Sequence, residues 1–106
     1  AALGDIGCHF PDSDPAYAGA DSLKLLSAVC AHLRSHGWEI VNTDATIVAQ
    51  RPKLMPYIPE MRFRLAAAMG VPEGCVSVKA TTEEQLGFTG RGEGISTMAV
   101  ALISEK

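Results

Sequence analysis

Apolar residues recur at helical spacing in two stretches of the chain. In the first stretch, Asp21 or Ser22 can cap the beginning of a helix, and Gly37 can end it in the left-handed conformation. A three- and four-residue spacing places the apolar side chains of this stretch on one helical face. That face is formed by Leu26, Val29, Cys30 and Leu33.

The second amphipathic stretch predicts a helix from about Pro56 to Met69. Prolines are tolerated in the first turn of a helix, and Gly70 and Pro72 follow the last apolar position. Its apolar face is predicted to contain Ile58, Met61, Leu65 and either Ala68 or Met69. Nearer the amino terminus, residues 1–3 are predicted to be the end of a helix that Gly4 stops, and residues 11–19 to be a loop rich in Pro, Asp, Ser and Gly.

Three further stretches have the residue types of β-strands. Trp38 to Gln50 is β-branched and partly alternating, and Pro52 ends it. Cys75–Thr81 and Ile95–Ser104 are the other two predicted strands. The last strand takes its bulk from Val100, Leu102 and Ile103.

This order of helices and strands predicts an α/β fold, with the helices packed on one face of one β-sheet. A length of 106 residues predicts a single small domain, residues 1–106. A sheet of only three strands that keeps apolar surface exposed is expected to bury that surface against a partner.

Composition and charge exclude several classes of function. The chain is 47% apolar and carries a net charge of −3 with no basic run, so a nucleic-acid partner is not expected. No stretch is long and apolar enough to span a membrane, and no signal peptide is visible. The three cysteines, Cys8, Cys30 and Cys75, form no C-x-x-C pair and are predicted to be reduced thiols.

The residues most indicative of function lie between positions 78 and 95. A strand-like run ends at Thr81 and Thr82, continues through Glu83 and Glu84, and closes on a glycine-rich turn that carries Arg91. Hydroxyl and backbone N–H groups can bind phosphate oxygens, and a nearby carboxylate can hold the cation that neutralises them. The pattern therefore fits a diphosphate site, or alternatively a strand followed by a polar turn.

This stretch resembles the C-terminal motif of the 2-C-methyl-D-erythritol 2,4-cyclodiphosphate synthases of the non-mevalonate isoprenoid pathway. Further blocks match this family in the same order, namely residues 2–7, 10–15, 42–50 and 52–54. The resemblance implies a homotrimeric lyase that cyclises 4-diphosphocytidyl-2-C-methyl-D-erythritol 2-phosphate and releases CMP. It also implies a cytoplasmic enzyme in a bacterium, or a plastid or apicoplast enzyme in a eukaryote.

Thr82 and Glu84 are the catalytic residues that the resemblance implies. Glu84 would hold Mg²⁺ or Mn²⁺ through the substrate diphosphate, Thr82 would bind the α-phosphate, and Thr81 would also contact phosphate. From the residues alone, Glu84 is a solvated turn carboxylate and the threonines end a strand, with hydroxyls bonded to local backbone. Neighbouring Glu83 is interpreted as the solvated residue of the pair.

The loop around Lys53 corresponds to the family's cytosine pocket. Its predicted members are Ala49, Lys53, Leu54 and Met55. The alternative is a surface lysine in a loop bounded by prolines, and the role of Arg51 stays open.

Acidic residues near the amino terminus match the family's sugar-binding positions. Asp5 and Gly7 would hold the ribose hydroxyls or the methylerythritol diol, because a carboxylate can accept hydrogen bonds from two hydroxyls. The alternative for Asp5 is a capping residue in the C-terminal turn of a helix. Asp12 and Asp14 lie on the loop that would face the substrate, or they stabilise an Asx-turn.

The glycine-rich turn is implied to line a central cavity of the trimer. There, Arg91 would bind an anion or an isoprenoid diphosphate, and Phe88 would line the same cavity. Both residues fit equally well as part of the trimer core.

The family's zinc ligands are an Asp-x-His pair and a further histidine in an N-terminal segment, and no Asp-x-His occurs here. The chain is therefore expected to be the C-terminal portion of the synthase domain, without its N-terminal strands and zinc-ligand segment. The alternative function is an incomplete fragment that acts only as a cytidine-nucleotide-binding trimer core. His9, His32 and His36 have no matching role and are predicted to be surface histidines.

Overall fold

Three strands form one sheet with the longest strand in the middle. In the computed structural model, which describes residues 1–19 and 21–106, the order in space is β2-β1-β3. In chain order the elements are α1 (Ile6–His9), α2 (Ser22–Ser35), β1 (Trp38–Val48), α3 (Ile58–Met69), β2 (Val76–Thr81), α4 (Gly87–Gly90) and β3 (Ser96–Glu105). β1 pairs in parallel with β2 and antiparallel with β3. The two parallel strands thus end at the same edge of the sheet.

The two long helices pack on one face of the sheet, as predicted. α2 begins after Asp21, whose carboxylate accepts a hydrogen bond from the backbone N–H of Leu23 at 2.8 Å. α3 ends at Gly70, which has the left-handed φ of 70°. The buried core between helices and sheet consists of Cys30, Ala66, Met69, Val76 and Val78.

Two arginine side chains form hydrogen bonds that link α3 to the neighbouring elements. Arg62 donates from Nε to the carbonyl of Val76 at 2.8 Å and from a terminal nitrogen to the carbonyl of Glu73 at 2.9 Å. Arg34, on α2, donates to the carbonyl of Met69 at the C-terminal end of α3. The parallel β1–α3–β2 unit is therefore tied together by polar as well as apolar contacts.

The prediction of a helix over residues 1–3 is wrong. These residues are not helical, and Ala2 and Gly4 have φ values of 56° and 87°. Ala and Leu favour helices, but so short a stretch cannot form one unaided because helix nucleation is costly. A helical turn begins only at Ile6, where Asp5 supplies the N-cap.

The strand boundaries differ from the prediction by one or two residues. β1 ends at Val48, before Gln50, and Cys75 belongs to a 3-10 turn that precedes β2. α4 was not predicted, because two of its four residues are glycines, which disfavour helices.

The second face of the sheet is open to solvent. Asp44 and Lys79 form an exposed ion pair there at 2.6 Å, and the hydrogen bonds from Lys79 and Ser77 lower the pKa of Asp44. β3 also exposes large apolar side chains: Met98 is 69% exposed, Val100 73% and Leu102 56%. The bulk predicted for the last strand therefore lies largely outside the core of this chain.

Candidate functional site

A cleft of about 340 Å³ lies where the parallel strands β1 and β2 end. The backbone N–H of Ala49 donates to the carbonyl of Thr81 at 3.0 Å, so the two strand ends are joined directly. The cleft is lined by Ala49, Gln50, Pro52, Lys53, Leu54, Met55, Ala80, Thr81 and Thr82. It thus brings together all four residues predicted for the cytosine pocket and both predicted phosphate-binding threonines.

One wall of the cleft is the loop that follows β1. Ala49 is buried, Leu54 is half-buried, and Met55 remains 73% exposed. The carbonyl of Leu54 accepts a hydrogen bond from the N–H of Tyr57 at 2.9 Å, which closes the 3-10 turn Met55–Tyr57. Lys53 is exposed, and no carboxylate in the described part of the chain forms an ion pair with it. Its ammonium group is therefore available to an anionic or polar ligand.

The opposite wall is the threonine pair. Thr82 Oγ1 accepts a hydrogen bond from the N–H of Glu84 at 3.2 Å, and Thr81 Oγ1 donates to the carbonyl of Thr82 at 3.4 Å. These are the local backbone bonds that the structural alternative predicted. A hydroxyl can both donate and accept, so the Thr82 hydroxyl retains a proton to donate to a ligand.

The turn after Thr82 has an unfavourable backbone conformation. Glu84 and Gln85 have φ values of 52° and 69°, in the left-handed region that non-glycine residues rarely adopt. Each such residue costs on the order of 1–3 kcal/mol and persists only where its surroundings fix it. At this turn the N–H of Gln85 donates to Gln50 Oε1 at 3.1 Å.

α4 packs its last residue tightly against the same turn. A Cβ atom added to Gly90 would lie 2.3 Å from the carbonyl carbon of Gln85 and 2.7 Å from its Cα. Only glycine fits this close approach of two backbone segments. The glycine-rich sequence was a sign of a tight turn, but it did not reveal which glycine contacts which residue.

Glu84 is exposed, lies two residues after Thr82, and is outside the lining of the cleft. Magnesium commonly takes one or two carboxylates and completes its shell with phosphate oxygens and water. A single glutamate, whose N–H is bonded to the Thr82 hydroxyl, therefore fits Mg²⁺ or Mn²⁺ held jointly with a phosphate ligand. For zinc the residues do not fit, because within residues 1–19 and 21–106 no three His, Cys, Asp or Glu side chains are grouped to hold a metal.

The acidic residues near the amino terminus do not line the cleft. Asp5 Oδ1 accepts from the N–H of Gly7 at 3.3 Å as the N-cap of α1, which corrects the predicted alternative of a C-terminal cap. Asp14 Oδ1 accepts from the N–H of Ala16 at 2.9 Å in an Asx-turn, as its alternative predicted. Asp12 is exposed on the same loop. Within one chain, the predicted sugar-binding and nucleotide-binding residues are therefore separate.

Phe88 and Arg91 also lie outside the cleft lining. Phe88 is 52% exposed, and its ring packs closely over Gly94. Arg91 forms a bidentate ion pair with Glu93, with nitrogen–oxygen distances of 2.9 and 3.1 Å. Any anion that bound Arg91 would share the guanidinium with Glu93.

The three histidines form a cluster, which the sequence prediction missed. The ring centroid of His32 lies 4.7 Å from that of His9 and 4.5 Å from that of His36. His9 and His36 are exposed, but His32 is half-buried, and its Nε2 is buried without a hydrogen-bond partner in the described part of the protein. Burial, together with His36 and His9, lowers the pKa of His32. The prediction of a surface histidine is therefore wrong for His32.

Comparison with known proteins identifies the family to which this chain belongs. A family model described as the YgbB family matches residues 1–104. The 2-C-methyl-D-erythritol 2,4-cyclodiphosphate synthase of Moorella thermoacetica is 58% identical over 106 residues, which are 100% of this chain and 65% of that protein. The synthase of the same name from Thioalkalivibrio sulfidiphilus is 60% identical over 103 residues, which are 97% of this chain and 64% of that protein. The chain therefore spans slightly less than two thirds of the length of these relatives.

Solved structures with the same fold come from the same group of proteins. The bifunctional IspDF from Campylobacter jejuni matches with a TM-score of 0.91 and 36% identity, over 98% of this chain and 28% of that one. A CDP complex of IspF from Plasmodium falciparum matches with a TM-score of 0.82 and 26% identity, over 97% of this chain and 61% of that one. The family match over nearly the whole sequence, together with the shared fold, shows that this chain belongs to the YgbB family.

Proposed function

We propose that the whole protein is a 2-C-methyl-D-erythritol 2,4-cyclodiphosphate synthase of the non-mevalonate isoprenoid pathway. It would convert 4-diphosphocytidyl-2-C-methyl-D-erythritol 2-phosphate to the 2,4-cyclodiphosphate and CMP. In this reaction an oxygen of the 2-phosphate attacks the β-phosphorus, and the bond from that phosphorus to the bridging oxygen breaks. CMP leaves with the bridging oxygen. The attacking group belongs to the substrate, so the protein has to supply position and charge.

The observation that carries the proposal is that two segments line one cleft. They are the loop of residues 49–55, called the cytosine loop below, and the threonine pair Thr81 and Thr82. The residues concerned are far apart in sequence, yet the parallel pairing of β1 and β2 brings them to one edge of the sheet. One wall has apolar side chains and backbone groups suited to a base, and the other has hydroxyls suited to phosphate. The cleft therefore has the two surfaces that a cytidine diphosphate group requires, and two solved relatives are described as CDP-bound.

In the proposed mechanism each wall holds one part of the substrate. Ala49, Lys53, Leu54 and Met55 would bind the cytosine, and Thr82, with Thr81, would bind the α-phosphate. Glu84 would hold Mg²⁺ or Mn²⁺ against the diphosphate, where a divalent cation neutralises the charge on the phosphate oxygens. Fixing the diphosphate in this way keeps the β-phosphorus in line with the attacking oxygen.

We propose a homotrimer in which the sugar-binding residues of one chain face the cleft of another. Asp5, Gly7, Asp12 and Asp14 would hold the ribose or diol, although within one chain they do not line the cleft. Two observations support association: the exposed apolar side chains of β3, and a radius of gyration of 15.4 Å. A compact domain of about 100 residues has a radius near 13 Å, so this chain is extended for its size.

A second candidate function is nucleotide binding without turnover. It is favoured by the zinc-ligand pattern, since the sequence has no Asp-x-His and the described residues offer no group of three metal ligands. The chain alone would then be a cytidine-nucleotide-binding trimer core, and turnover would require residues outside it. Phe88 and Arg91 would line the trimer axis in either case, where an isoprenoid diphosphate could compete with Glu93 for Arg91.

The two synthases compared above, from Moorella thermoacetica and Thioalkalivibrio sulfidiphilus, are bacterial proteins. We therefore expect the enzyme in the bacterial cytoplasm.

Binding of CDP tests the proposal directly, with adjacent glutamates as matched variants. In the presence of Mg²⁺, we expect Glu84→Gln to weaken CDP binding by about tenfold, because one charged ligand of the cation is lost. Glu83→Gln should change the affinity by less than about twofold, since Glu83 is interpreted as solvated. Titration calorimetry measures both affinities.

Three results would count against the proposal. They are an absence of CDP binding by the wild-type chain, equal effects of the two substitutions, and equally strong binding of UDP, which would contradict a cytosine pocket. Assays of CMP release then separate the synthase from the binding core. Binding without CMP release, followed by release when the residues that precede this chain in its relatives are present, would identify the chain as the binding portion of the enzyme.

A further inference from the structure

The two walls of the cleft are joined by one side-chain hydrogen bond. Gln50, in the loop after β1, accepts from the N–H of Gln85 through Oε1 at 3.1 Å. Gln50 is half-buried and lines the cleft, whereas Gln85 belongs to the exposed turn on the opposite side. This contact joins residues 35 positions apart in the sequence.

The position of this bond coincides with the strained part of the chain. Glu84 and Gln85 are consecutive non-glycine residues with left-handed φ values, and Glu84 is the residue proposed to hold the cation. Strained conformations at a site persist when surrounding contacts determine them. The turn has four such contacts. Three are hydrogen bonds: Thr82 Oγ1 accepts from the N–H of Glu84, Gln50 Oε1 from the N–H of Gln85, and the carbonyl of Glu83 from the N–H of Leu86 at 3.0 Å. The fourth is the close packing of the Gly90 backbone against Gln85.

Of these four contacts, only the one from Gln50 originates in the other wall of the cleft. Thr82 precedes the turn directly, and Gly90 follows it in α4. Without Gln50, the Ala49–Thr81 bond would still join the strand ends and the turn would still be closed locally. No side chain of the first wall would then hold Gln85 itself. The Gln50 side chain thus ties the backbone of the turn, one residue after Glu84, to the first wall of the cleft.

We propose that Gln50 is a positioning residue that holds the phosphate-binding turn in register with the cytosine-binding loop. This inference rests on the proposed function for its consequence in binding, but the hydrogen bond itself can be tested independently. Gln50 need not touch the reacting atoms. Its effect is transmitted through the backbone of Gln85 to Glu84.

Two isosteric substitutions separate the hydrogen bond from the volume of the side chain. Gln50→Met keeps the length but removes the acceptor, whereas Gln50→Glu keeps an acceptor oxygen. By NMR, solvent exchange of the Gln85 amide should become about fivefold faster in Gln50→Met and stay near the wild-type rate in Gln50→Glu, as expected for one net hydrogen bond. Unchanged exchange in Gln50→Met would overturn the proposal.

Ligand binding then tests the positioning role. With Mg²⁺ present, Gln50→Met should bind CDP about fivefold more weakly than wild type, while cytidine, which lacks phosphates, binds within about twofold. Equal losses for cytidine and CDP would indicate a general loss of the pocket and would contradict positioning of the turn. A wild-type chain that binds neither ligand contradicts the proposed function instead, and the Gln85 exchange rate alone then decides whether Gln50 holds the turn.

Discussion

Two residues near the amino terminus, His9 and Phe10, attach that segment to helix α2 through the ring of His32. No pattern in the sequence predicts this contact. His9 is the last residue of α1, and its ring contacts the ring of His32 on α2. Its Nε2 lies 2.7 Å from the carbonyl oxygen of Leu3. Phe10 packs edge-on to the same His32 ring and also to Tyr17. This aromatic cluster holds the loop that carries Asp5 and the other predicted sugar-binding residues against α2.

Protonation of His32 should weaken this cluster. The pKa of His32 lies below the ordinary 6.5, so the unfolded chain takes up a proton first as the pH falls. The free energy of unfolding contributed by His32 is therefore complete above about pH 6.5 and decreases below it, and protonation in the folded state would also repel His9 and His36. We expect the melting temperature to fall more between pH 7.5 and pH 5.5 in wild type than in His32→Leu.

Thermal unfolding by circular dichroism, with NMR titration of the three imidazoles, measures this effect. If His32 titrates together with exposed histidines, or the variant shows the same pH dependence as wild type, the burial of His32 has no consequence for stability.

At the scale of secondary-structure elements, the attachment of α3 to β2 can be tested by comparing two arginines of the same helix, Arg62 and Arg64. Arg62 donates to the carbonyl of Val76, at the beginning of β2, and to that of Glu73, in the 3-10 turn before it. Arg64, on the same helix, forms an exposed ion pair with Glu60 at 2.8 Å. The bond to Val76 is partly buried, and a charged hydrogen bond to a partly buried carbonyl contributes more than a surface ion pair does. We expect Arg62→Met to lower the free energy of unfolding by about 2 kcal/mol and Arg64→Met by less than about 0.5 kcal/mol.

Urea denaturation of the two variants provides the comparison. Similar losses in both would mean that the carbonyls of Val76 and Glu73 are satisfied equally well by water once Arg62 is removed.

Sequence periodicity predicted the long elements well because each of them buries one face. The apolar spacing of α2 and α3 and the β-branched run of β1 are direct consequences of the single core between helices and sheet. The failures lie where no such face exists. Residues 1–3 have helical propensity but no adjoining helical turn to extend. α4 depends on the close approach of Gly90 to the backbone of Gln85, and a tertiary contact of this kind does not appear in the sequence pattern.

The lining of the cleft was predictable only in part, and its arrangement was not predictable. The cytosine loop and the threonine pair were identified by resemblance, and their meeting at one edge requires the parallel pairing of β1 and β2. The Gln50–Gln85 bond and the histidine cluster could not be predicted, since both join residues far apart in sequence through side-chain geometry.

At the scale of the whole molecule, the open face of the sheet is the main surface left to explain. Val100 is 73% exposed at the centre of β3, between the exposed Met98 and Leu102. Such an apolar patch on a folded chain is typical of an interface. We expect Val100→Lys to convert the proposed trimer to a monomer without loss of secondary structure, because burying an unpaired charge in such an interface is costly.

Sedimentation velocity gives the oligomeric state, and Ala67→Lys, on the exposed side of α3, is the matched control that should leave it unchanged. A wild-type chain that is monomeric at all concentrations would contradict the proposed trimer.

The parallel pairing of β1 with β2 also bears on how the gene can be rearranged. Both walls of the cleft, from Ala49 to Thr82, come from one uninterrupted stretch of chain, and the turn that follows is completed by Gly90. Insertion, domain fusion or circular permutation before Trp38 or after β3 would therefore leave the cleft's own residues contiguous. Recombination at either end of the polypeptide can thus change what accompanies this nucleotide-sized cleft while the cleft itself is inherited as a single module.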